Sequence, residues 1–309
     1  MRITQQMLVR GALRDLNDSS QILAKLQSQL SSGKAIQTPS DDPFGTERAL
    51  RFRQEIQALS VCRENMDLSK DWLNAADTTL SKVTDMLVQA RAIGMRGADD
   101  AIGQEARAAL AAQVSEMLGS MLQSANSTSQ GHYLFAGYKI DTLPFTGLDA
   151  SGNATSDPSK IVSVQYNGDD GSIVRELEPG VDMQVNMTGK ETWLDPTQPN
   201  SVFSAMIALR DGLAAGDGDA VRSALTRIDR CSDLLGEARA VIGAKTQRLD
   251  LAADKVDTIV LGLKSLLSKT EDTDMAQAIV NYQQQNAVHQ AALQVNARLL
   301  PMSLLDYLR

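Results

Sequence analysis

The chain has 309 residues, 43% of them hydrophobic and 4% aromatic, with 30 basic against 38 acidic residues and a net charge of −8. That is enough for about two domains of ~150 residues with real cores, but it supplies neither the basic run of a nucleic-acid face nor the aromatic density usual in a ligand pocket. No run of 18 apolar residues occurs, so no membrane helix is predicted, and the N-terminus MRITQQMLVRGALRDL lacks the apolar stretch and cleavage site of a secretory leader.

In chain order, Val9, Leu16, Leu23 and Leu30 recur every seven residues, with Ala12 and Leu26 between them. This first apolar stripe has nothing local to bury it. The polar break Leu30–Gly45, LSSGKAIQTPSDDPFG, follows. Its adjacent Asp41 and Asp42 could be metal ligands or an acid/base pair, but their setting favours punctuation. Gly33 suits the C-cap of a helix ending near Ser32, and Asp42 followed by Pro43 suits an N-cap with proline at the first helical position.

From 43 to 97 the pattern predicts one helix about 80 Å long at ~1.5 Å per residue. Phe52, Leu59, Met66, Leu73, Leu80 and Leu87 are spaced by seven, and Cys62, Ser69, Ala76, Val83 and Ala90 follow most of them by three. A shorter helix is predicted over 104–129, carrying Leu110, Val114, Met117, Leu118, Met121 and Leu122.

The segment 131–199 differs in texture. Prolines are missing from 44–143 and from 200–300, whereas 132–200 holds five of the eight prolines and six of the 12 aromatics. It reads as an inserted β-rich module. Ile161–Tyr166 alternates, Asn167–Ser172 turns, and Ile173–Glu178 continues, which predicts a hairpin between these two stretches. Pro179-Gly180 turns again before Val181–Asn186.

A short helix over 201–214 precedes a second long seam. Val221, Ile228, Leu235, Ile242, Leu249, Val256 and Leu263 carry the partners Ala224, Cys231, Ala238, Lys245, Ala252, Ile259 and Leu266, and Lys245 alone is polar. Asp219 is a candidate N-cap. The two seams predict long antiparallel helices, from both halves of the chain, packed side by side as a rod. Cys62 and Cys231 fall on these seams. They are two buried thiols or a disulfide, and their spacing fits no zinc or redox motif.

A second polar break, Thr270–Asp274, leads to a last apolar stripe through Ile279, Val280, Ala287, Val288, Ala292, Leu293, Val295, Leu299 and Leu300. Amphipathic ends set off by polar breaks predict segments that order on association.

Chemistry is sparse. His132 and His289 lie far apart with no cysteine or glutamate pattern around them, so no metal site is predicted. Phosphate-loop, dinucleotide and nucleophile-elbow motifs are missing. Asn167–Gly171 lacks the closing glutamate of a calcium loop. The expectation is no enzyme and no cofactor. An active site hidden in the β module is the rival from another class, and one histidine in about 70 residues argues against it.

The ends carry a resemblance. Leu30-Ser-Ser-Gly33 with Ser40-Asp-Asp42 and Gly45, and Thr273-Asp-Met-Ala276 leading to Leu304-Leu-Asp-Tyr-Leu-Arg309, resemble the paired end signatures of the flagellin superfamily over about 1–130 and 200–309. The start Met1-Arg-Ile-Thr-Gln-Gln-Met7, the stretch Gly131–Lys139 with Thr142 and Pro144-Phe145, and the single modest insertion are similar to that superfamily's hook–filament junction group. A short flagellin forming the filament is the alternative. Gln89 stands where receptor-triggering flagellins carry an arginine, and Arg91 matches them.

The resemblance implies a mainly α fold with a small β insertion. Its expected domains are 1–42 plus 270–309 for assembly, disordered in the free monomer, 43–130 plus 200–269 as the helical rod, and 131–199 as the β insertion. It further implies export without a cleaved signal through the flagellar type III channel to an extracellular flagellum. The implied partners are neighbouring copies in a ring, the other junction protein, flagellin, and an export chaperone on the C-terminal region. Val9, Leu16, Leu23, Leu30, Ile279, Leu293, Leu300 and Leu304 are the expected assembly residues, and Gly33, Asp42 and Pro43 the expected caps and hinge.

Overall fold

A computed structural model describes residues 5–99, 101–194 and 201–307. It is mainly α with small antiparallel sheets. The order is α1 (Gln5–Ser32), α2 (Pro43–Gly97), α3 (Gln104–Ala125), β1 (Thr128–Ser129), β2 (His132–Tyr133), β3 (Phe145–Leu148), β4 (Ser163–Tyr166), β5 (Val174–Glu178), β6 (Val181–Gln184), α4 (Gly189–Trp193), α5 (Val202–Ala215), α6 (Gly218–Glu271) and α7 (Met275–Tyr307). The chain divides into two compact units, Leu59–Asp257 and Met1–Ala58 with Thr258–Arg309.

In the unit Leu59–Asp257, α2 and α6 run antiparallel. Ion pairs join Arg63 to Asp257 at 3.4 Å, Lys70 to Asp250 at 2.6 Å, Asp77 to Arg239 at 2.9 Å and Arg91 to Asp229 at 2.7 Å, so numbers rise along one helix as they fall along the other. These pairs are half-exposed and each contributes about 0.2–1 kcal/mol at most. The buried seam supplies the stability. Leu73, Leu80, Val83, Leu87 and Ala90 are fully buried on α2, as are Ala224, Ile228, Leu235 and Val256 on α6. Ser69 is tolerated there because its hydroxyl donates to the Asn65 carbonyl at 2.5 Å. No disulfide joins Cys62 and Cys231, both of them buried. The ion-pair register puts Cys231 opposite α2 about 25 residues, or roughly 40 Å, beyond Cys62.

The second seam departs from its predicted course after Lys245. Ile242 and Leu249 are buried, but the next inward residue is Ala253 rather than Ala252. In the other unit, Leu263 is buried while the expected partners Ile259 and Leu266 are exposed. Two successive steps of four residues, Lys245 to Leu249 to Ala253, move the partner row by one position while Val256 and Leu263 stay buried on the original row, as in a coiled-coil stutter. Lys245 lies half-buried with its ammonium 3.8 Å from the Met187 sulfur, and burial pushes its pKa down.

α3 packs on α5. Ser201 accepts from the Ser204 N–H at 3.0 Å to start α5, and Gly216 at φ +73° ends it. Phe135, β3, β4, α4 and α5 supply an aromatic core centred on Trp193. That ring stacks on Phe203 at 5.4 Å and meets Phe135 at 5.6 Å and Phe145 at 5.7 Å, and Phe145 in turn meets Tyr166 at 5.1 Å.

The predicted hairpin between 161–166 and 173–178 does not form. β4 instead pairs with β3, Phe145 opposite Tyr166, and β5 pairs with β6 across the Gly180 turn. The connection after β4 is tied elsewhere. The Asn167 side chain reaches Thr146 Oγ1 at 2.9 Å, and Asp169 Oδ1 accepts from the Tyr138 and Gly171 amides at 2.6 and 3.0 Å. Gly137 allows that approach: its φ is +72°, and a Cβ there would lie 2.1 Å from Asp169 Oδ1.

Candidate assembly interface and its joint

Within the unit that holds both ends of the chain, α1 and α7 pack antiparallel. The inward face of α1 is Val9, Ala12, Leu16, Ser19, Leu23, Leu26 and Leu30, all half-buried except Ser19, which is buried. Thus Val9, Leu16, Leu23 and Leu30 face α7. The inward face of α7 is different in kind: Ala278, Tyr282, Gln285, His289, Ala292 and Asn296. Ser19 Oγ accepts from Gln285 Nε2 at 3.2 Å and lies 3.2 Å from His289 Nδ1, so a polar layer crosses the middle of this seam.

The branched aliphatic side chains described on α7 point outward. Ile279 is 45% exposed and Leu293 48%, and Val280, Val288 and Val295 are more exposed still. Met7, Leu13 and Ile22 do the same on α1. The side chains of Leu300 and Leu304 lie outside the described residues. Sequence reasoning missed Tyr282, Gln285, His289 and Asn296. Together with Ala278 and Ala292 they recur at alternating steps of four and three, which was the available signal, masked by the stronger hydrophobicity of the opposite face.

The two polar breaks meet. Gly33, at φ +73°, ends α1 with its amide on the Gln29 carbonyl at 2.8 Å. Pro43 opens α2, and Asp42 Oδ1 accepts from the Gly45 amide at 2.9 Å. Asp41 organises the loop between them. It accepts from the Gln37 and Thr38 amides at 3.2 and 3.0 Å and pairs with Lys25 of α1 at 2.7 Å. Lys25, then those amides, hold its carboxyl well below the usual carboxylate range. On the other side, Asp274 Oδ1 caps α7 through the Ala276 and Gln277 amides at 3.0 and 3.1 Å. Lys34 and Asp272 face each other as an antiparallel bridge, with Ala35 donating to the Glu271 carbonyl at 2.7 Å and Thr273 to the Gly33 carbonyl at 2.9 Å.

Other groups do not converge. His132 pairs with Asp141 at 3.0 Å on the surface. Among the described residues, no three His, Cys, Asp or Glu side chains are placed to hold a metal ion, and no helix is long and apolar enough to cross a membrane.

Long helices from both halves of a chain, with the two ends paired, define a class of filament-type structural protein. The bacterial flagellin N-terminal helical region matches residues 3–140 and its C-terminal helical region matches 225–308, so the chain belongs to the flagellin superfamily. Flagellar hook-associated protein 3 of Salmonella typhimurium is 24% identical over 98% of each chain. A flagellin of Listeria monocytogenes is 21% identical over 89% of this chain and 88% of its own. The solved structure of a flagellar hook-associated protein from Vibrio parahaemolyticus superposes with a TM-score of 0.67 at 24% identity, covering 75% of this chain and 100% of that one.

Proposed function

We propose that this chain is a structural adaptor of the bacterial flagellum, the junction protein that links the hook to the flagellin filament. The observation that carries the reading is the outward apolar face of the terminal pair: Met7, Leu13, Ile22, Ile279, Val280, Val288, Leu293 and Val295 lie exposed on helices that already pair with each other. Burying such a face at ~25 cal/mol per Å² drives assembly, offset by the entropy of association. Neighbouring copies in a ring cover the face, with the second junction protein on the hook side and flagellin on the filament side.

Residues 1–42 and 270–309 form the assembly domain in this proposal, with Val9, Leu16, Leu23 and Leu30 closing the pair and Ile279, Leu293, Leu300 and Leu304 meeting neighbours. The chain passes unfolded through the type III channel without a cleaved signal and works outside the cell, after a chaperone has held its C-terminal region in the cytoplasm. It needs no cofactor and carries out no catalysis. The full-length similarity to hook-associated protein 3 supports the junction over the filament.

Deleting the gene tests this. The junction reading expects flagellin secreted into the medium and unpolymerised. A deletion strain that builds normal filaments refutes it, and one that lacks only the bulk filament protein points to a short flagellin, the reading that the Listeria similarity favours.

A further inference from the structure

A charge cluster around a buried carboxylate lies where the two breaks meet. Glu271 is 6% exposed, although it is the last residue of a 54-residue helix. One carboxylate oxygen takes the Lys34 ammonium at 3.0 Å, and the other takes the Arg53 guanidinium, which is 218 residues away in sequence. The same residue's carbonyl receives the Ala35 amide. Three separate stretches, the loop after α1, the second turn-pair of α2 and the end of α6, therefore converge on one side chain.

We infer that the two polar breaks form a single joint and that Glu271 is its latch, fixing the angle at which the α1·α7 pair leaves the first turns of α2 and the last turns of α6. The division of labour within the carboxylate argues for a latch. Each oxygen holds a different segment, and a glutamine at 271 would keep one uncharged acceptor oxygen in place of two charged ones. Loss of the charge leaves Lys34 and Arg53, two like charges, facing each other. They border a cavity of about 410 Å³ lined by Ile36, Pro39, Ala49 and Leu50. The loop then has room to swing away instead of collapsing onto the vacated place. Across the joint, the described ties from the loop to the end of α6 are then the two backbone hydrogen bonds of the Lys34–Asp272 bridge, while Asp41 still holds the loop to Lys25 of α1. Glu271 is a positioning residue, and its role stands apart from the flagellar reading.

Native-state hydrogen exchange on the full chain tests this. In Glu271→Gln the amides of Ala35 and Thr273 are expected to exchange at least ~tenfold faster, while amides of α3 and α5 keep their wild-type rates. Lys34→Gln and Arg53→Gln should each give part of the effect. Raising the salt to about 1 M should speed the Ala35 amide more in the wild-type chain than in Glu271→Gln, where the ion pairs it screens at the latch are already lost. Wild-type rates at Ala35 and Thr273 in Glu271→Gln would overturn the inference. So would equal acceleration in α3 and α5, which would make Glu271 a general support and not a latch.

Discussion

Ile279→Glu with Leu293→Glu separates folding from assembly. Both side chains are a little under half exposed, so folding gains little from them. Glutamate is as good a helix former as the residues it replaces, and the isolated chain is expected to keep its stability within about 0.5 kcal/mol. In an assembled ring, each position would bury roughly 80 Å² of remaining apolar surface, about 2 kcal/mol at ~25 cal/mol per Å². The pair loses about 4 kcal/mol per subunit, or roughly a thousandfold in association, before the cost of burying two carboxylates. The assay pairs circular-dichroism melting of the purified variant with complementation of a deletion strain, scored by filament length and soluble flagellin in the medium. The expected result is a wild-type melt and a strain without filaments. Leu23→Glu, on the inward face, should instead weaken the α1·α7 pair in the monomer. Full complementation by the double variant would refute the assignment of the outward face.

Trp193→Ala removes the centre of the aromatic core and should cost about 3–5 kcal/mol in urea unfolding of the unit Leu59–Asp257. Lys245→Leu should raise the unfolding midpoint, because it replaces an ammonium disfavoured by burial at a seam position with an apolar side chain; a lowered midpoint would mean that the Met187 contact outweighs desolvation. Asp41 has a folded pKa below its unfolded value, so its contribution is present above the unfolded pKa and is lost as pH falls through the folded one. Protection of the Gln37 and Thr38 amides should persist through pH 4 and vanish only in stronger acid. The same pH profile should disappear in Asp41→Asn.

The long helices were legible because a seven-residue repeat sustained over six or more turns has few competing explanations. Leu59 to Leu87 and Val221 to Leu249 lie on the predicted seam. The shift after Lys245 was not legible, because Ala252 and Ala253 are the same residue type and the apolar Ile259 and Leu266 kept the old register in view. The β module failed differently. Six polar residues between two alternating stretches look like a turn, and the preference of Tyr166 for Phe145 is decided by an aromatic core assembled from five segments. On α7, hydrophobicity named the face that points outward. The inward face is made of alanines and polar groups, two of which meet Ser19 of α1, and no single-chain hydropathy pattern marks it. Both breaks were visible as punctuation, whereas the tie that Glu271 makes between them depends on three distant parts of the chain.

The polar layer of Ser19, Gln285 and His289 gives the terminal pair a ruler. A seam of alanines and half-buried aliphatics slides easily, since one turn of slippage exchanges similar surfaces. Here a one-turn slip would leave Ser19 beside only one of Gln285 and His289 and strand the other against the aliphatic side chains of α1, at a cost that a purely apolar seam would not carry. Two helices lying at opposite ends of the sequence can therefore find a single alignment, and a mismatched pairing carries its own penalty before any neighbour arrives.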